Sequence, residues 1–170
     1  DCLVEYARKY IGTPYRRGSK GPNRFDCSGF MQYIFNHFSY SLNASSASQY
    51  LQGISVKDEE ICRGDLVFFK GRNSRRSNVG HVGLVTEVYP DGRFKFIHAS
   101  TSQGIREDWN FSPYYAQRYV GARRIYFVQI DKRLILDAIL ELEDIDDNTP
   151  FTETEKSITP QEFSTFVRAE

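Results

Sequence analysis

The chain has 170 residues, 40% hydrophobic, 15% aromatic and 26% charged, the profile of an ordinary soluble globular domain long enough to bury a core. No apolar run approaches the roughly 20 residues that span a bilayer, and no signal-peptide pattern opens the chain. The formal net charge is zero, but residues 131–170 hold eleven acidic and four basic residues, so residues 1–130 carry +7 and the tail −7. The front part is therefore suited to an anionic polymer or surface, or the two parts neutralise each other.

From Cys2 to Tyr10 the chain places Leu3, Val4, Ala7 and Tyr10-Ile11 on one face, with Glu5, Arg8 and Lys9 opposite. This spacing predicts a short amphipathic helix, stopped by Gly12 and Pro14. Tyr15 opens a Gly/Pro/Ser-rich loop that runs to Asp26-Cys27-Ser28-Gly29-Phe30. From Phe30 the apolar residues Met31, Ile34, Phe35 and Phe38 recur at three- and four-residue spacing, which predicts a helix ending near Phe38. Cys27 thus sits at a helix N-terminus, where free N–H groups and the helix dipole are expected to lower its pKa. Asp26 is suited to be the N-cap. A lone cysteine can equally be a small buried hydrophobe, and position alone does not choose.

A Ser-rich stretch leads to a short helix through Gln49, Tyr50 and Leu51, ending at Gly53 and capped by Ser45 or Ser46. Leu66-Val67-Phe68-Phe69, bounded by Gly64 and Gly71, reads as a buried strand. Residues 70–78 carry Lys70, Arg72, Arg75 and Arg76. Without interleaved aromatics this is a basic surface loop, and no nucleic acid is expected as a partner.

Gly80 to Val88 and Arg93 to Ser100 flank Tyr89-Pro90-Asp91-Gly92, whose Pro and Gly suit a type I turn. A four-residue loop sets Val88 opposite Arg93 and Gly83 opposite His98. His81, two residues from Gly83, then shares a face with His98, with Cα atoms roughly 7–8 Å apart. A slip of one residue would separate them. The third histidine, His37, falls at the end of the Cys27 helix and reads as structural. Ile105 to Trp109 forms a short strand or turn, and Val120 to Val128 a closing strand. Helices followed by an antiparallel sheet give an α+β domain over residues 1–130.

In the acidic extension, residues 131–170, Leu134, Ile135, Ala138, Ile139 and Leu142 have helical spacing, and Thr159-Pro160-Gln161-Glu162 reads as a capping box. The extension is expected to pack on the domain or to be partly flexible. Cys2, Cys27 and Cys62 form no CxxC pair, so no zinc knuckle is indicated. Cys2 and Cys62, beside Leu3, Val4 and Ile61, are expected to be buried free thiols rather than a bridge.

Cysteine hydrolysis needs a thiolate, an imidazole, a group that orients it and donors for an oxyanion. Cys27, His81, His98 and the N–H groups opening the Cys27 helix supply these parts. Five ordered blocks, Gly12 to Tyr15, Asp26 to Phe30, Arg63 to Phe69, Gly80 to Leu84 and Phe96 to Ser100, together resemble the NlpC family of bacterial cell-wall cysteine peptidases. Phe96 to Thr101 with Arg123-Arg124 leans toward the Spr-type murein endopeptidases.

The resemblance implies a papain-like fold, hydrolysis of peptidoglycan stem or cross-link peptides, and neither metal nor cofactor. Carried over by position, Cys27 is the nucleophile, His81 the base and His98 the third polar residue. Tyr15 resembles the tyrosine lining the family's active site, and Asp26 and Ser28 resemble substrate-groove residues. Leu42-Asn43-Ala44-Ser45 departs from the Leu-Pro-Arg-Ser/Thr common in relatives, and no SH3-like domain precedes the matched region. A non-catalytic wall-binding module, or an amidase or acyltransferase with the same residues, are the alternatives. Starting at Asp1 without Met, the chain reads as a trimmed monomer of the cell envelope, periplasmic or secreted, with a lipid anchor before Asp1 conceivable on the resemblance.

Overall fold

The computed structural model describes residues 2–126 apart from 73, 74 and 76. The helical spacing at 134–142, the capping box at 159–162 and the expected packing of the acidic extension lie outside the described residues. So does the end of the strand expected over Val120 to Val128.

Three helices come first: α1 (Cys2–Arg8), α2 (Cys27–His37) and α3 (Ser46–Gln49). The first ends two residues earlier than the apolar spacing suggests, in a turn where the Tyr10 N–H reaches the Ala7 carbonyl. At α3 the cap is Ser45, in a reciprocal capping box with Ser48. The strands are β1 (Ile54–Val56), β2 (Leu66–Lys70), β3 (Val79–Val88), β4 (Phe94–Ser100), β5 (Gly104–Trp109) and β6 (Tyr119–Arg124), with a short helix α4 (Pro113–Ala116) before the last. They form one sheet in the order β1-β6-β2-β3-β4-β5, with every neighbouring pair antiparallel. The α+β expectation holds; β1 and α4 are additions that short, weakly patterned segments did not announce.

Both faces of the sheet are covered. Val4, Phe30, Ile34 and Phe35 of α1 and α2 pack with Leu66, Phe68, Val82, Leu84 and Ile97 on one face. On the other face Val67, Phe69, Val85, Phe94 and Phe96 cluster with Tyr115 and Tyr119. A strand buried on both sides has no polar face to alternate, which is why Leu66 to Phe69 is apolar throughout.

Asp65, at the start of β2, is 1% exposed. Its carboxylate accepts from Arg124 Nε and Nη2, each at 2.8 Å, and from the Cys62 N–H. This fork ties the first core strand to the last strand.

The hairpin departs from the expected turn in an instructive way. Val88 faces Phe94, not Arg93, so the connection is one residue longer. Between Val85 and Glu87 the ladder then slips, because Thr86 is an extra, fully buried residue on β3. The bulge cancels the longer turn: Leu84 faces Ile97, and continuing the register sets Gly83 opposite His98. A Cβ at Gly83 would lie 2.6 Å from the Phe96 ring and 3.1 Å from the Ile97 carbonyl oxygen, so only glycine lets β4 approach this closely.

Cys2 and Cys62 are free, as expected, but both are exposed, which corrects the expectation of burial. In α1 the inward positions are Val4 and Ala7, and beside Cys62 it is Ile61 that points inward.

Candidate active site

Asp26 adopts extended backbone and caps α2. Its Oδ1 accepts the Gly29 N–H at 2.7 Å and its Oδ2 the Gly18 N–H at 2.8 Å. Ser28 is 9% exposed and its hydroxyl is directed at Asp26 Oδ1, 3.4 Å away. These two side chains hold the loop-to-helix junction, and in doing so they fix Cys27 at the first position of α2. Gln49, fully buried, adds a tether by donating to the Ser28 and Asn43 carbonyls.

Cys27 is half-buried and lines a cleft of about 570 Å³ together with Tyr15, His81, Ser100, Arg106 and Asp108. The backbone N–H groups of Ser28, Val82 and Cys27 itself are directed at its sulfur. Even so, burial pushes the thiol up to about 11, and the Asp26 charge adds to the rise. The expected lowering by the helix N-terminus is therefore corrected: an anion, the capping carboxylate, already occupies that positive end, and desolvation of the sulfur outweighs the three donors.

His81 and His98 meet as the register requires. His81 Nε2 lies 2.9 Å from His98 Nδ1, with the rings edge to face at 83°. They occupy the sheet face of Phe69, Phe96 and Tyr115, the face turned away from the apolar flank of α2. Cys27 thus shares the cleft with His81 from beside the N-terminal end of β3, rather than across the sheet. Burial and the neighbouring His98 push His81 down to about 3, so the ring is neutral across the physiological range.

Behind this pair stands a group that the sequence reading did not find. His98, fully buried, has its Nε2 at 2.8 Å from Asp108 Oδ2, and Arg106 Nη2 donates to the other carboxylate oxygen at 2.5 Å. The Tyr115 hydroxyl lies 3.3 Å from His98 Nε2. The signal was available in β5: Ser100 pairs with Gly104 and His98 with Arg106, so Asp108, two residues on, falls on the same face. His37 stacks on Tyr6 at the far end of α2, a structural role as expected. Among the described residues no group of His, Cys, Asp or Glu could hold a metal ion, and no helix is long and apolar enough to cross a membrane.

Residues 12–124 match the model of the NlpC/P60 family. The chain belongs to that family. Over 125 residues this NlpC/P60 chain is 36% identical to the probable endopeptidase NlpC homolog of Haemophilus influenzae, an alignment covering 73% of this chain and 62% of the relative. It is also 36% identical over 124 residues to the murein DD-endopeptidase MepS/murein LD-carboxypeptidase of Escherichia coli K12, covering 72% of this chain and 61% of that one. The chain thus spans less than two thirds of these relatives. A crystal structure of an NlpC/P60 family protein from Bacillus cereus superposes with a TM-score of 0.64 at 28% identity, over 72% of this chain and 38% of that one.

Proposed function

We propose that this NlpC/P60 chain is a cysteine endopeptidase that hydrolyses amide bonds in peptidoglycan peptides of the cell envelope. The observation that carries the reading is that His81 shares one cleft with the half-buried Cys27 and is held from behind by His98, Nε2 to Nδ1 at 2.9 Å. Relatives named as endopeptidases, one of them a murein endopeptidase, support the reaction class and the substrate class.

Cys27 Sγ attacks the carbonyl carbon of the scissile amide while His81 takes the thiol proton. His81 returns that proton to the departing amine, leaving a thioester on Cys27. Water, deprotonated by His81, then attacks the thioester and releases the acid with the free thiol. His98 holds the His81 ring by their mutual hydrogen bond. Because neither Cys27 nor His81 readily carries a charge alone in this site, proton transfer belongs to the attack itself. This reading assigns the developing oxyanion to the Cys27 and Ser28 N–H groups that point toward the sulfur, and Tyr15 lines the same cleft.

Lys70, Arg72 and Arg106 also line the cleft, with Asp108 the acidic residue among its walls. That excess of positive charge suits stem peptides, which carry carboxylates. Asp26 and Ser28 act in this reading by holding Cys27 in place, since their polar atoms are engaged at the α2 cap.

Digestion of purified sacculi, followed by mass spectrometry of the soluble muropeptides, tests the proposal. The parent releases peptide-cleavage products and Cys27→Ala does not. Equal release by both sinks the reading. Muropeptide binding without cleavage supports a wall-binding module, and release of intact stems or acyl-transfer products an amidase or acyltransferase.

A further inference from the structure

Two neutral imidazoles joined through Nε2 and Nδ1 can share their hydrogen bond in either direction, and only one direction yields a base. If His98 Nδ1 donates, His81 Nε2 accepts, and the proton of His81 sits on Nδ1. The one ring nitrogen left for the thiol is then already protonated. If His98 Nδ1 accepts, His81 Nε2 donates, and His81 Nδ1 keeps its lone pair. The pair alone does not decide between these arrangements.

The far side of His98 does decide. Its Nε2 faces Asp108 Oδ2 at 2.8 Å, and an ionised carboxylate can only accept. Asp108 is kept ionised by its surroundings: burial favours the neutral acid, but the His98 hydrogen bond and the Arg106 charge outweigh it and hold the carboxyl below its ordinary value. The Tyr115 hydroxyl on α4 lies farther off, 3.3 Å from the same His98 Nε2, so the carboxylate is the nearer partner of that nitrogen. The Arg106 guanidinium balances the Asp108 charge. Since His98 is fully buried, no solvent water competes for its Nε2.

We infer that Asp108 is a positioning residue: by requiring a proton on His98 Nε2, it forces His98 Nδ1 to accept from His81 Nε2 and leaves the lone pair of His81 on Nδ1, the nitrogen free to serve Cys27. This rests on the peptidase reading for its consequence, though not for its geometry. The groups facing Asp108 are His98 from β4, Arg106 from its own strand and Tyr115 from α4. His81 of β3 is reached through His98. The same relay extends the site from three side chains to four.

The chain contains three histidines, so ¹⁵N-histidine labelling of the full chain gives a spectrum in which each ring can be assigned, with His37→Gln and His98→Gln spectra as references. Long-range ¹H–¹⁵N correlation at pH 8 is expected to show both His81 and His98 as neutral Nε2–H tautomers. Asp108→Asn cannot offer an acceptor to both His98 and Arg106, and Asp108→Ala offers none. In folded protein, both variants lose the single Nε2–H tautomer of His98. On muropeptides kcat falls about 100-fold with KM within about twofold of the parent, and Asp108→Glu restores part of both signals.

The inference is overturned if the parent shows His98 as the Nδ1–H tautomer or doubly protonated at pH 8, or if the folded Asn and Ala variants keep the parental tautomer. Parental kcat in those variants also overturns it. Should Cys27→Ala cleave as well as the parent, the peptidase reading fails by itself, while the tautomer assignment stands or falls on the spectra.

Discussion

His81 and His98 touch through one hydrogen bond, Nε2 to Nδ1 at 2.9 Å, and that bond exists because a bulge at Thr86 cancels an extra residue in the β3–β4 turn. The partner of His81 is therefore held by backbone register, not by the side chain's own freedom. His98→Ala removes the acceptor and lets the His81 ring turn. A loss of about 100-fold in kcat on muropeptides is expected. His98→Asn, whose amide oxygen can still accept from His81 Nε2, is expected to recover part of it. If the Ala variant keeps parental kcat, His98 does not orient the base.

The thiol of Cys27 offers a second measurement. Burial raises its pKa to about 11 from an ordinary value near 9, so the neutral thiol persists through the physiological range and the thiolate grows only toward strong alkali. In a Cys2→Ser/Cys62→Ser background, where the two exposed thiols are gone, iodoacetamide labelling of Cys27 is expected to be slow at pH 7 and to climb through pH 9 to 11. A labelling rate that already reaches its plateau by pH 6 would mean a preformed thiolate–imidazolium pair, and would refute the desolvation argument.

What the sequence made legible was whatever rests on period and punctuation. The apolar spacing from Phe30 and the Asp26 cap place Cys27 at the first position of α2, and the run Leu66 to Phe69 marks the strand buried on both faces. The histidine register was reached through a turn one residue too short, and it held because the bulge compensates. Burial was less legible. The apolar neighbours of Cys2 and Cys62 suggested interior thiols, yet along a helix or an extended segment adjacent residues point in different directions. For Cys27 the helix start was visible but the desolvation was not, and the sign of its pKa shift followed the latter. Asp108 was missed because its meaning depends on β5 pairing with β4, and Arg106-Glu107-Asp108 by itself looks like a solvated charged strand.

Acid stability follows from His81. Its ring titrates near 3 in the folded chain against an ordinary 6.5, so below pH 6.5 the unfolded chain binds a proton that the folded chain refuses. Folding stability is then fully present above pH 6.5 and declines as pH falls toward 3, with a limiting slope of about 1.4 kcal/mol per pH unit. Glu87, held down to about 2 by Tyr89, Lys95 and Arg8 against an ordinary 4.5, adds a further loss below pH 4.5. Urea unfolding at pH 7.5, 6.5, 5.5 and 4.8 separates the two, since the loss from His81 begins above the carboxylate range. His81→Asn is expected to flatten the dependence between pH 6.5 and 4.8. An unchanged slope in that variant would assign the acid loss elsewhere.

The Asp65–Arg124 fork tests how the closing strand is held. Asp65 is 1% exposed while the Arg124 side chain is 32% exposed, so the carboxylate is the partner that has given up its water. Removing Arg124 leaves a buried anion whose remaining partner among the described residues is the Cys62 N–H, whereas removing Asp65 leaves a cation that can turn outward. Arg124→Met is therefore expected to cost about 3 kcal/mol, and Asp65→Asn less, because its amide keeps one acceptor for Arg124 Nε. Pairing Arg124→Met with Asp65→Leu eliminates the buried charge and is expected to recover most of the loss. Equilibrium unfolding of the two single variants and the double variant measures the coupling directly. If Asp65→Asn proves the costlier single change, the carboxylate's solvent exposure in the unpaired state has been misjudged and the anchoring role passes to its bond with the Cys62 N–H.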